Sequence, residues 1–471
     1  MLFPTIEFAI FFAVVFPLTW LLNAHNVWKK IFLIFASYFF YAFWRYDFTL
    51  LLFGSSTANW AIALLLGRLK QGPLRRFVFW LAVAANLGLL GYFKYYDFFV
   101  ASLINLFATF NINVDIQFIE VALPIAISFL TFHALSYIID VYKERIKPTK
   151  SLIDILLYIS FFPHLVAGPI VRAKIFLEQA VHPSDPKQIE LAVSVFLIIG
   201  GLFKKVIIAN YLATDFVDDV FRTPADHTSF DLLLGMYAYA IQIYCDFSAY
   251  TDIAIGIANL LGYQFPQNFN QPYRALTVQD FWRRWHITLS TWLRDYLYIP
   301  LGGSRGGKVA TYRNILITMG LGGLWHGASY NFVIWGLLHG AALVVERLFG
   351  LSAEDAPKLG WGAKVALWLA TFHFVCFTWI FFRSPSLDAS LDYIVTLFAA
   401  GTWTTTMTPL VAVCLALGAL TQVIPPNWAT NLKLRYDLAP IYLKVAVPFV
   451  VIYLIAVAAP RGVPPFIYFQ F

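Results

Sequence analysis

Long apolar runs separated by short polar and basic segments recur along the whole chain. From Ile6 to Ala459 about eleven to thirteen of these runs approach the roughly 20 residues that an α-helix needs to cross the hydrocarbon core of a bilayer. The pattern predicts an all-α polytopic membrane protein, and it favours a single integral membrane domain over residues 1–471.

Basic residues between the apolar runs predict how the chain threads the membrane. Clusters at Lys29 and Lys30, at 68–76 and at 143–150 are expected in the cytoplasm, because loops rich in Lys and Arg stay on that side. This places the N-terminus outside. The first apolar run lacks a preceding basic region and leads into further runs, so it predicts a first transmembrane helix rather than a cleaved signal peptide.

Two apolar runs do not fit a complete crossing. The run 98–110 is one of three between two cytoplasmic clusters, where an even number of crossings is required, so we interpret it as an interfacial or re-entrant piece on the outer side. The run after Ser151 breaks at PHLVAGP and returns to Arg172 and Lys174. It predicts a re-entrant loop lining an inner chamber, with a proline-kinked helix as the alternative.

Composition agrees with this pattern and excludes other classes. The chain is 60% hydrophobic with a mean hydropathy of +0.70, which a soluble globular protein of this size could not carry on its surface. The net charge of +7 is divided among short clusters, which indicates contact with lipid headgroups rather than with nucleic acid. Cys245, Cys376 and Cys414 lie in apolar segments without CxxC spacing, so neither a metal site nor a disulfide framework is expected.

Two carboxylates interrupt the apolar stretch 231–262. Asp246 and Asp252 lie in the sequence CDFSAYTDIAIG, where an unpaired carboxylate would be costly. We expect them to have partners, and we favour a structural role for both over catalysis.

The most cationic segment is 274–313, with seven Lys or Arg residues against two Asp. It is predicted to be cytoplasmic. At 100° per residue the stretch 281–298 forms one amphipathic helix at the membrane surface, with His286 at the boundary between its aromatic and cationic sides. The aromatic side collects Trp282, Trp285, Leu289, Trp292, Leu293 and Tyr296.

The arginines of this segment suit an anionic ligand that enters from the cytoplasm. A guanidinium offers paired donors to phosphate, so Arg283, Arg284 and Arg294 are candidates to bind a pyrophosphate-bearing thioester such as acetyl-CoA. Ordinary headgroup binding is the alternative for most of these charges.

The next apolar segment contains His326 between Trp325 and Gly327. An ionisable residue at membrane depth is a functional-site hypothesis by default. The chain has nine histidines, and an isolated histidine is more often a hydrogen-bonded packing residue. We interpret the other histidines of apolar segments in that way; these are His133, His164, His339 and His373.

Four stretches of the sequence resemble the membrane-bound O-acyltransferase superfamily, and specifically its bacterial alginate and exopolysaccharide O-acetyltransferase branch. They are PHLVAGPI (163–170), CDFSAYTDIAIG (245–256), NQPYRALTVQDFWRRWHITLSTWLRDYLYIPLGG (270–303) and GGLWHGASYNFVIWGLLHG (322–340). The most specific motifs lie within 120–345, whereas the C-terminal helices over 360–471 carry no motif that we assign.

The resemblance implies a ring of helices around a central channel and assigns roles to residues. His326 corresponds to the catalytic histidine of the family, and His286 to its second characteristic position, which orients or binds the donor. Trp285, Trp325 and Asn331 complete the expected substrate and donor contacts. The expected partners are an extracytoplasmic esterase-like acetyltransferase and a complex for polysaccharide synthesis and export. No bound cofactor is expected, and the acyl thioester is a co-substrate.

The predicted activity is transfer of acetyl from a cytoplasmic thioester across the bacterial inner membrane to an exported alginate- or cellulose-like polysaccharide, directly or through a partner. His326 would act as general base on the acceptor hydroxyl. No acyl-enzyme is required for this step. The alternatives are a family member that transfers D-alanine to teichoic acid or acetylates peptidoglycan, and a proton-coupled transporter.

Overall fold

The computed structural model describes residues 1–112, 121–399, 401–460 and 466, and every regular element in these ranges is helical. The predicted all-α class is therefore confirmed. The chain separates into two compact units, Met1–Ile189 with Ile257–Phe265, and Glu190–Gly256 with Pro266–Phe471. The single integral domain predicted over the whole chain stays a prediction.

The helices of the first unit begin where the apolar runs begin. Thr5 and Ser151 cap two of them, because each side-chain oxygen accepts a hydrogen bond from a backbone N–H in the first turn. In chain order the helices are α1 Ile6–Leu21, α2 Asn26–Ala42, α3 Phe48–Arg68, α4 Pro73–Leu90, α5 Tyr96–Thr109, α6 Ile127–Tyr142, α7 Leu152–Ser160, α8 Phe162–Leu165 and α9 Ala173–Ala180.

The predicted short piece at 98–110 is not a separate segment. α4, a π-helical turn at Gly91–Tyr95 and α5 form one continuous helical run of 37 residues, Pro73–Thr109. The sequence-based division of this region into two separate apolar segments is wrong. A π-helical turn lies at the polar interruption, and the helix continues through it. Its placement at the outer interface stays a prediction, and most of the acid-containing stretch that follows lies outside the described residues.

The break predicted at PHLVAGP is present. α7 has nine residues, too few to cross a bilayer, and α8 adds one short turn before irregular backbone leads to α9. The backbone does not continue as one kinked helix, which favours the re-entrant interpretation over its alternative. Side chains from Ile155 to Val171 are buried within this unit, as irregular backbone in a membrane protein requires.

The second unit begins with a helical run over Leu191–Arg222 that contains two π-helical turns. Its α-helices are α10 Leu191–Leu202, α11 Asn210–Leu212, α12 Asp218–Arg222, α13 Ser229–Leu260, α14 Val278–Arg284, α15 Ile287–Leu293, α16 Gly307–His326, α17 Tyr330–Leu348, α18 Trp361–Arg383, α19 Leu387–Phe398, α20 Pro409–Leu420, α21 Pro426–Leu438 and α22 Ile441–Ala458. The last four residues of α13 belong to the first unit.

Six helices among the described residues are long and apolar enough to cross a membrane, and three shorter apolar helices accompany them. The sequence-based count of eleven to thirteen also included interrupted and more polar runs. The six are Phe48–Arg68, Pro73–Thr109, Leu191–Arg222, Tyr330–Leu348, Trp361–Arg383 and Ile441–Ala458.

α16 and α17 form a hairpin whose backbones approach closely. A Cβ on Gly323 would lie 2.1 Å from the Phe332 carbonyl oxygen, and one on Gly336 would lie 2.2 Å from the Met319 carbonyl oxygen. Only glycine fits at such a crossing. The crossing fixes the last turn of α16, where His326 is located.

Candidate functional site

His326 is the final residue of α16 and is 3% exposed. Three aromatic rings surround its imidazole, with centroid distances of 5.0 Å to Trp325, 5.1 Å to Trp335 and 5.2 Å to Phe382. The Trp335 ring stands edge-on to the imidazole, at an interplanar angle of 89°. The histidine is thus held in one orientation by large, rigid neighbours.

The amphipathic helix predicted over 281–298 is broken at its centre. α14 ends at Arg284, and His286 has a left-handed backbone with φ of 42° before α15 begins. Asn268 replaces the missing helical partners: its carbonyl oxygen accepts from Ile287 N–H at 2.9 Å, and its side-chain oxygen accepts from Thr288 N–H at 3.1 Å. The apolar periodicity continues across the break, so periodicity alone could not detect it.

The aromatic side of these two short helices packs inside the protein and does not form a membrane-surface anchor. Trp285 is 1% exposed, and its ring lies 5.0 Å from both Phe269 and Trp379. Leu289 and Trp292 are buried as well. Trp285 therefore occupies a packing position between Phe269 and Trp379.

The structure brings His286 and His326 to the same side chain. The Trp325 ring lies 5.0 Å from the ring of His326 and 6.2 Å from that of His286. His286 is also fixed by Phe247, whose ring is 4.7 Å away and perpendicular to it. Two histidines separated by 40 residues in sequence thus meet at one indole within the second unit.

The three candidate donor-binding arginines are engaged with carboxylates. Arg283 contacts Glu354 at 2.5 Å, and Arg284 contacts Asp280 at 2.9 Å. Arg294 pairs with the adjacent Asp295 at 2.7 Å. The Arg283 guanidinium holds the pKa of the Glu354 carboxyl below its usual range, so this pair is charged at neutral pH.

Asn331 lies at the start of α17 and is buried. Its side-chain N–H group donates to the Ser384 carbonyl oxygen at 3.0 Å and to the Ser390 hydroxyl at 3.2 Å. These bonds attach α17 to the turn between α18 and α19. Both donors of the amide are used in this way, and its oxygen has no hydrogen-bond partner among the described residues.

Asp246 and Asp252 have the partners that their apolar surroundings require. Asp246 lies 2.6 Å from Lys205 Nζ, and Asp252 lies 2.6 Å from Lys204 Nζ. Lys204 also donates to the Ser248 hydroxyl at 2.8 Å. The two lysines lie in the π-helical turn Phe203–Ala209. This pairing agrees with the structural role expected for the carboxylates, which stays a prediction.

Four further histidines lie in the apolar segments that the sequence assigned to packing. His133 and His164 belong to the first unit, and His164 Nε2 lies 2.8 Å from the Tyr158 carbonyl oxygen. His339 Nε2 lies 3.0 Å from the Thr378 hydroxyl in the second unit. His373 is exposed, with Nδ1 2.8 Å from the Leu369 carbonyl oxygen. Hydrogen-bonded packing therefore describes His164 and His339, whereas His373 has a hydrogen bond but is exposed. His133 is buried and has no such bond within the described residues.

The contact between His326 and Trp335 shows at which level along α17 the catalytic candidate lies. Near one end Asn331 binds Ser384, and near the other Glu346 accepts from the N–H groups of Val278 and Gln279 at the start of α14. Trp335, which contacts His326, is about 6 Å along the helix axis from Asn331 and about 16 Å from Glu346. His326 is thus much nearer to the Asn331 end.

Sequence reasoning missed Asn268, Trp335 and Phe382. Asn268 lies in the polar stretch PQNFNQ, which has no periodicity or motif that links it to His286. Trp335 could have been found from the hairpin pattern, since a short connection after His326 brings the first turns of α17 back beside it. Phe382 is far away in sequence and gave no signal. Within the described residues no group of three or more His, Cys, Asp or Glu side chains could hold a metal ion.

Comparison with known proteins identifies relatives of this chain. The family model described as "MBOAT, membrane-bound O-acyltransferase family" matches residues 127–384. A probable alginate O-acetylase, AlgI, of Pseudomonas aeruginosa is 41% identical over 86% of this chain and 76% of its own length. A peptidoglycan O-acetyltransferase of Helicobacter pylori is 38% identical, with coverages of 78% and 73%. A teichoic acid D-alanyltransferase of Bacillus subtilis is 31% identical, with coverages of 55% and 68%.

Proposed function

Because the chain belongs to the membrane-bound O-acyltransferase family, and is therefore a multi-pass membrane O-acyltransferase, we propose that it acetylates an exported polysaccharide. In this proposal acetyl-CoA is the donor, it binds from the cytoplasm, and the enzyme lies in the bacterial inner membrane. The relatives with identities of 38–41% support acetyl as the group transferred, since their names describe acetyl transfer.

One observation carries the catalytic proposal: His326, at the end of α16, shares the Trp325 ring with His286. An imidazole suits general-base catalysis because its ordinary pKa is near neutrality. His326 takes the role of base, and His286 contacts the donor. Trp325, Trp335 and Phe382 hold the His326 ring and exclude water from it.

The proposed reaction needs no covalent enzyme intermediate. The oxygen of the acceptor hydroxyl attacks the thioester carbonyl carbon while the His326 imidazole takes the hydroxyl proton. The C–S bond then breaks, and the departing thiolate of CoA takes that proton from the imidazolium. The products are an O-acetyl ester and the CoA thiol. A positioned general base contributes about 10²–10⁴-fold to such a step.

The position of His326 along α17 supports entry of the acceptor from outside. The Glu346 end of this helix contacts the start of α14, in the cationic segment that the positive-inside rule assigns to the cytoplasm. His326 lies about three helical turns from that end and about one turn from the Asn331 end. A thioester on the long, flexible arm of CoA suits this geometry, because the charged nucleotide stays at the cytoplasmic surface.

Donor binding at Arg283 has to compete with Glu354, because the two side chains already form an ion pair. Removing the carboxylate charge with Glu354→Gln frees the guanidinium, so the affinity for acetyl-CoA is expected to rise. Arg283→Ala is expected to lower it, and the difference between the variants should shrink at high salt. If neither variant changes the affinity, Arg283 contributes only to the topology of the chain in the membrane or to contact with lipid headgroups.

The acceptor is a hydroxyl of an exported polysaccharide or a serine of an extracytoplasmic esterase-like partner that passes the acetyl group on. Deletion of the gene, followed by chemical analysis of each envelope polymer, tests the acceptor. Loss of O-acetyl groups from the exopolysaccharide alone supports the proposal. Loss of O-acetyl groups from peptidoglycan alone, or of D-alanine esters, would instead support the activity named for one of the other relatives.

A transporter is tested separately with the purified protein in liposomes. Flux of a solute or of protons in the absence of any acyl donor would favour transport. Release of CoA from acetyl-CoA without such flux supports the transferase.

A further inference from the structure

Asn268 contacts His286 at the helix break and the first turn of α15, which follows the break. Its backbone carbonyl oxygen accepts from Ile287 N–H, and its side-chain oxygen Oδ1 accepts from Thr288 N–H at 3.1 Å and from the Thr288 hydroxyl at 2.9 Å. The same oxygen lies 3.2 Å from His286 Nδ1. Asn268 and His286 are both buried, so water does not compete for these contacts.

The orientation of the Asn268 amide follows from the chemistry of its neighbours. A backbone N–H is only a donor, so the amide atom that faces Thr288 N–H must be the oxygen. The reversed amide would place its NH₂ group against that N–H, with two donors facing each other in a buried site. The backbone of α15 therefore determines which way the amide points.

An acceptor oxygen beside His286 Nδ1 determines where the imidazole carries its proton. The neutral ring has one N–H group, and Nδ1 must hold it in order to donate to Asn268 Oδ1. Nε2 then carries the lone pair. This nitrogen is buried and has no hydrogen-bond partner among the described residues. Full protonation would create a buried charge that no carboxylate of the described part of the chain contacts at hydrogen-bond distance.

The ring is also held against rotation. Phe247 stands perpendicular to the imidazole at 4.7 Å, and Phe269 lies nearly parallel to it at 6.3 Å. A 180° flip of the ring would exchange Nδ1 with Cδ2, so a carbon atom would face Asn268 Oδ1 and the hydrogen bond would be lost. The direction of the Nε2 lone pair is therefore fixed by packing together with the Asn268 bond.

We propose that Asn268 is a positioning residue that keeps His286 in the Nδ1–H tautomer, so that Nε2 accepts a hydrogen bond from the acyl donor. The chemical group that fits is an amide N–H, which the pantetheine arm of a thioester donor carries near its sulfur. The hydrogen bond between Nε2 and the acyl donor rests on the proposed function, whereas the tautomer does not. His286 thus binds the donor as an acceptor and does not compete with His326 for the hydroxyl proton.

The tautomer is measured directly by ¹⁵N NMR of the full-length protein in lipid bilayers with ¹⁵N-labelled histidine. The two His286 resonances are those that disappear in His286→Gln. We expect a protonated Nδ1 and an unprotonated Nε2 in the wild type. A protonated Nε2 with a bare Nδ1 would overturn the inference, whatever the activity of the protein.

Asn268 variants test the consequence for donor binding. Asn268→Asp keeps the acceptor oxygen but adds a charge that stabilises the protonated ring. The acid limb of the pH–rate profile for CoA release from acetyl-CoA should therefore move to higher pH by about 1–3 units. Asn268→Leu removes the acceptor, so the KM for acetyl-CoA should rise about 2–10-fold with a smaller change in kcat. An unmoved acid limb together with an unchanged KM would contradict the proposal.

Thr288→Val is the matched control, because it removes a hydroxyl that also contacts Asn268 Oδ1 but leaves the backbone N–H that orients the amide. It should keep the wild-type tautomer and acid limb. If it moves the acid limb as Asn268→Asp does, the effect reports packing and the proposal fails. Failure of the proposed function is distinguishable: His286 would show the Nδ1–H tautomer while wild-type membranes release no CoA from acetyl-CoA.

Discussion

The first unit contains two buried histidines that contact each other, and the second contains three, of which His286 and His326 form a pair with different surroundings. In the first unit the rings of His133 and His164 lie 4.5 Å apart and contact each other directly. In the second unit His286 and His326 both lie beside the Trp325 ring. Burial and apolar sequence are common to both pairs, so neither property identifies a catalytic histidine.

The difference lies in the backbone. His133 is in the middle of α6, and His164 donates to the Tyr158 carbonyl oxygen inside a cluster of aromatic rings. His326 ends a helix, and His286 occupies a left-handed break between two helices. His164 also lies near the end of a short helical turn, so the helix end alone does not separate the pairs. The family resemblance gives the catalytic position to His326, and we therefore propose chemistry for the second pair and packing for the first.

The largest expected effect separates the two pairs directly. His326→Ala should reduce acetylation of the exported polymer by about 100-fold or more, because the general base is lost. His133→Phe should leave acetylation per molecule of enzyme unchanged. Acetyl content of the polymer is measured by alkaline release, with protein abundance measured in the same membranes. Equal losses in the two variants at equal abundance would remove the distinction between the pairs.

The hairpin that positions His326 gives the next effect. Gly323→Ala places a methyl group against the Phe332 carbonyl, so α16 and α17 must separate and the folded protein should decline several-fold. Gly320→Ala is the control, since its added methyl meets only the flexible Leu337 side chain. Thermal unfolding in detergent measures both. Equal stability of the two variants would contradict the close crossing.

A smaller effect is expected at His339, which contacts Trp335 as His326 does but bonds to Thr378. His339→Gln keeps a polar group for that hydroxyl, so acetylation should fall by no more than about twofold, consistent with the modest value of one hydrogen bond. Initial rates of CoA release measure it. A loss as large as that of His326→Ala would extend the catalytic group to His339.

Much of the architecture was predictable because it depends on local pattern. The apolar runs predicted the helices, whereas the catalytic role that the family motif assigns to His326 stays a prediction. The break at His286 was not predictable, since the aromatic spacing continues through Trp285 to Leu289 as it would in one helix. The partner of Arg283 is 71 residues away, and no local pattern points to Glu354.

Asn268 shows the same limit at the site itself. Asn268 accepts hydrogen bonds from the backbone N–H groups of Ile287 and Thr288, which need a partner because a new helix, α15, begins there. The sequence does not predict that start, so it could not predict the role of Asn268. Lys204 and Lys205 were missed as partners of Asp252 and Asp246 for a related reason. A π-helical turn places the two lysines, and helical periodicity of 3.6 residues does not describe it.

The smallest expected effect concerns the first pair alone. Neither ring nitrogen of His133 has a hydrogen-bond partner in the described chain, so His133→Phe removes a buried polar group without breaking a bond. Its melting temperature should equal or exceed that of the wild type. His164→Phe leaves the Tyr158 carbonyl oxygen without its donor and should lower stability by about 1–3 kcal/mol. The reverse order would show that His133 has a bound partner.

Sealed inside-out membrane vesicles give the most direct test of His326 as the base that joins a cytoplasmic donor to an external acceptor. Labelled acetyl-CoA is added to the exposed cytoplasmic face, and label is followed in polymer or partner protein within the lumen, protected from added esterase until detergent is present. We expect protected label with the wild-type enzyme and almost none with His326→Ala at equal abundance. Protected label that accumulates in His326→Ala vesicles at the wild-type rate would contradict the role of His326 as this base.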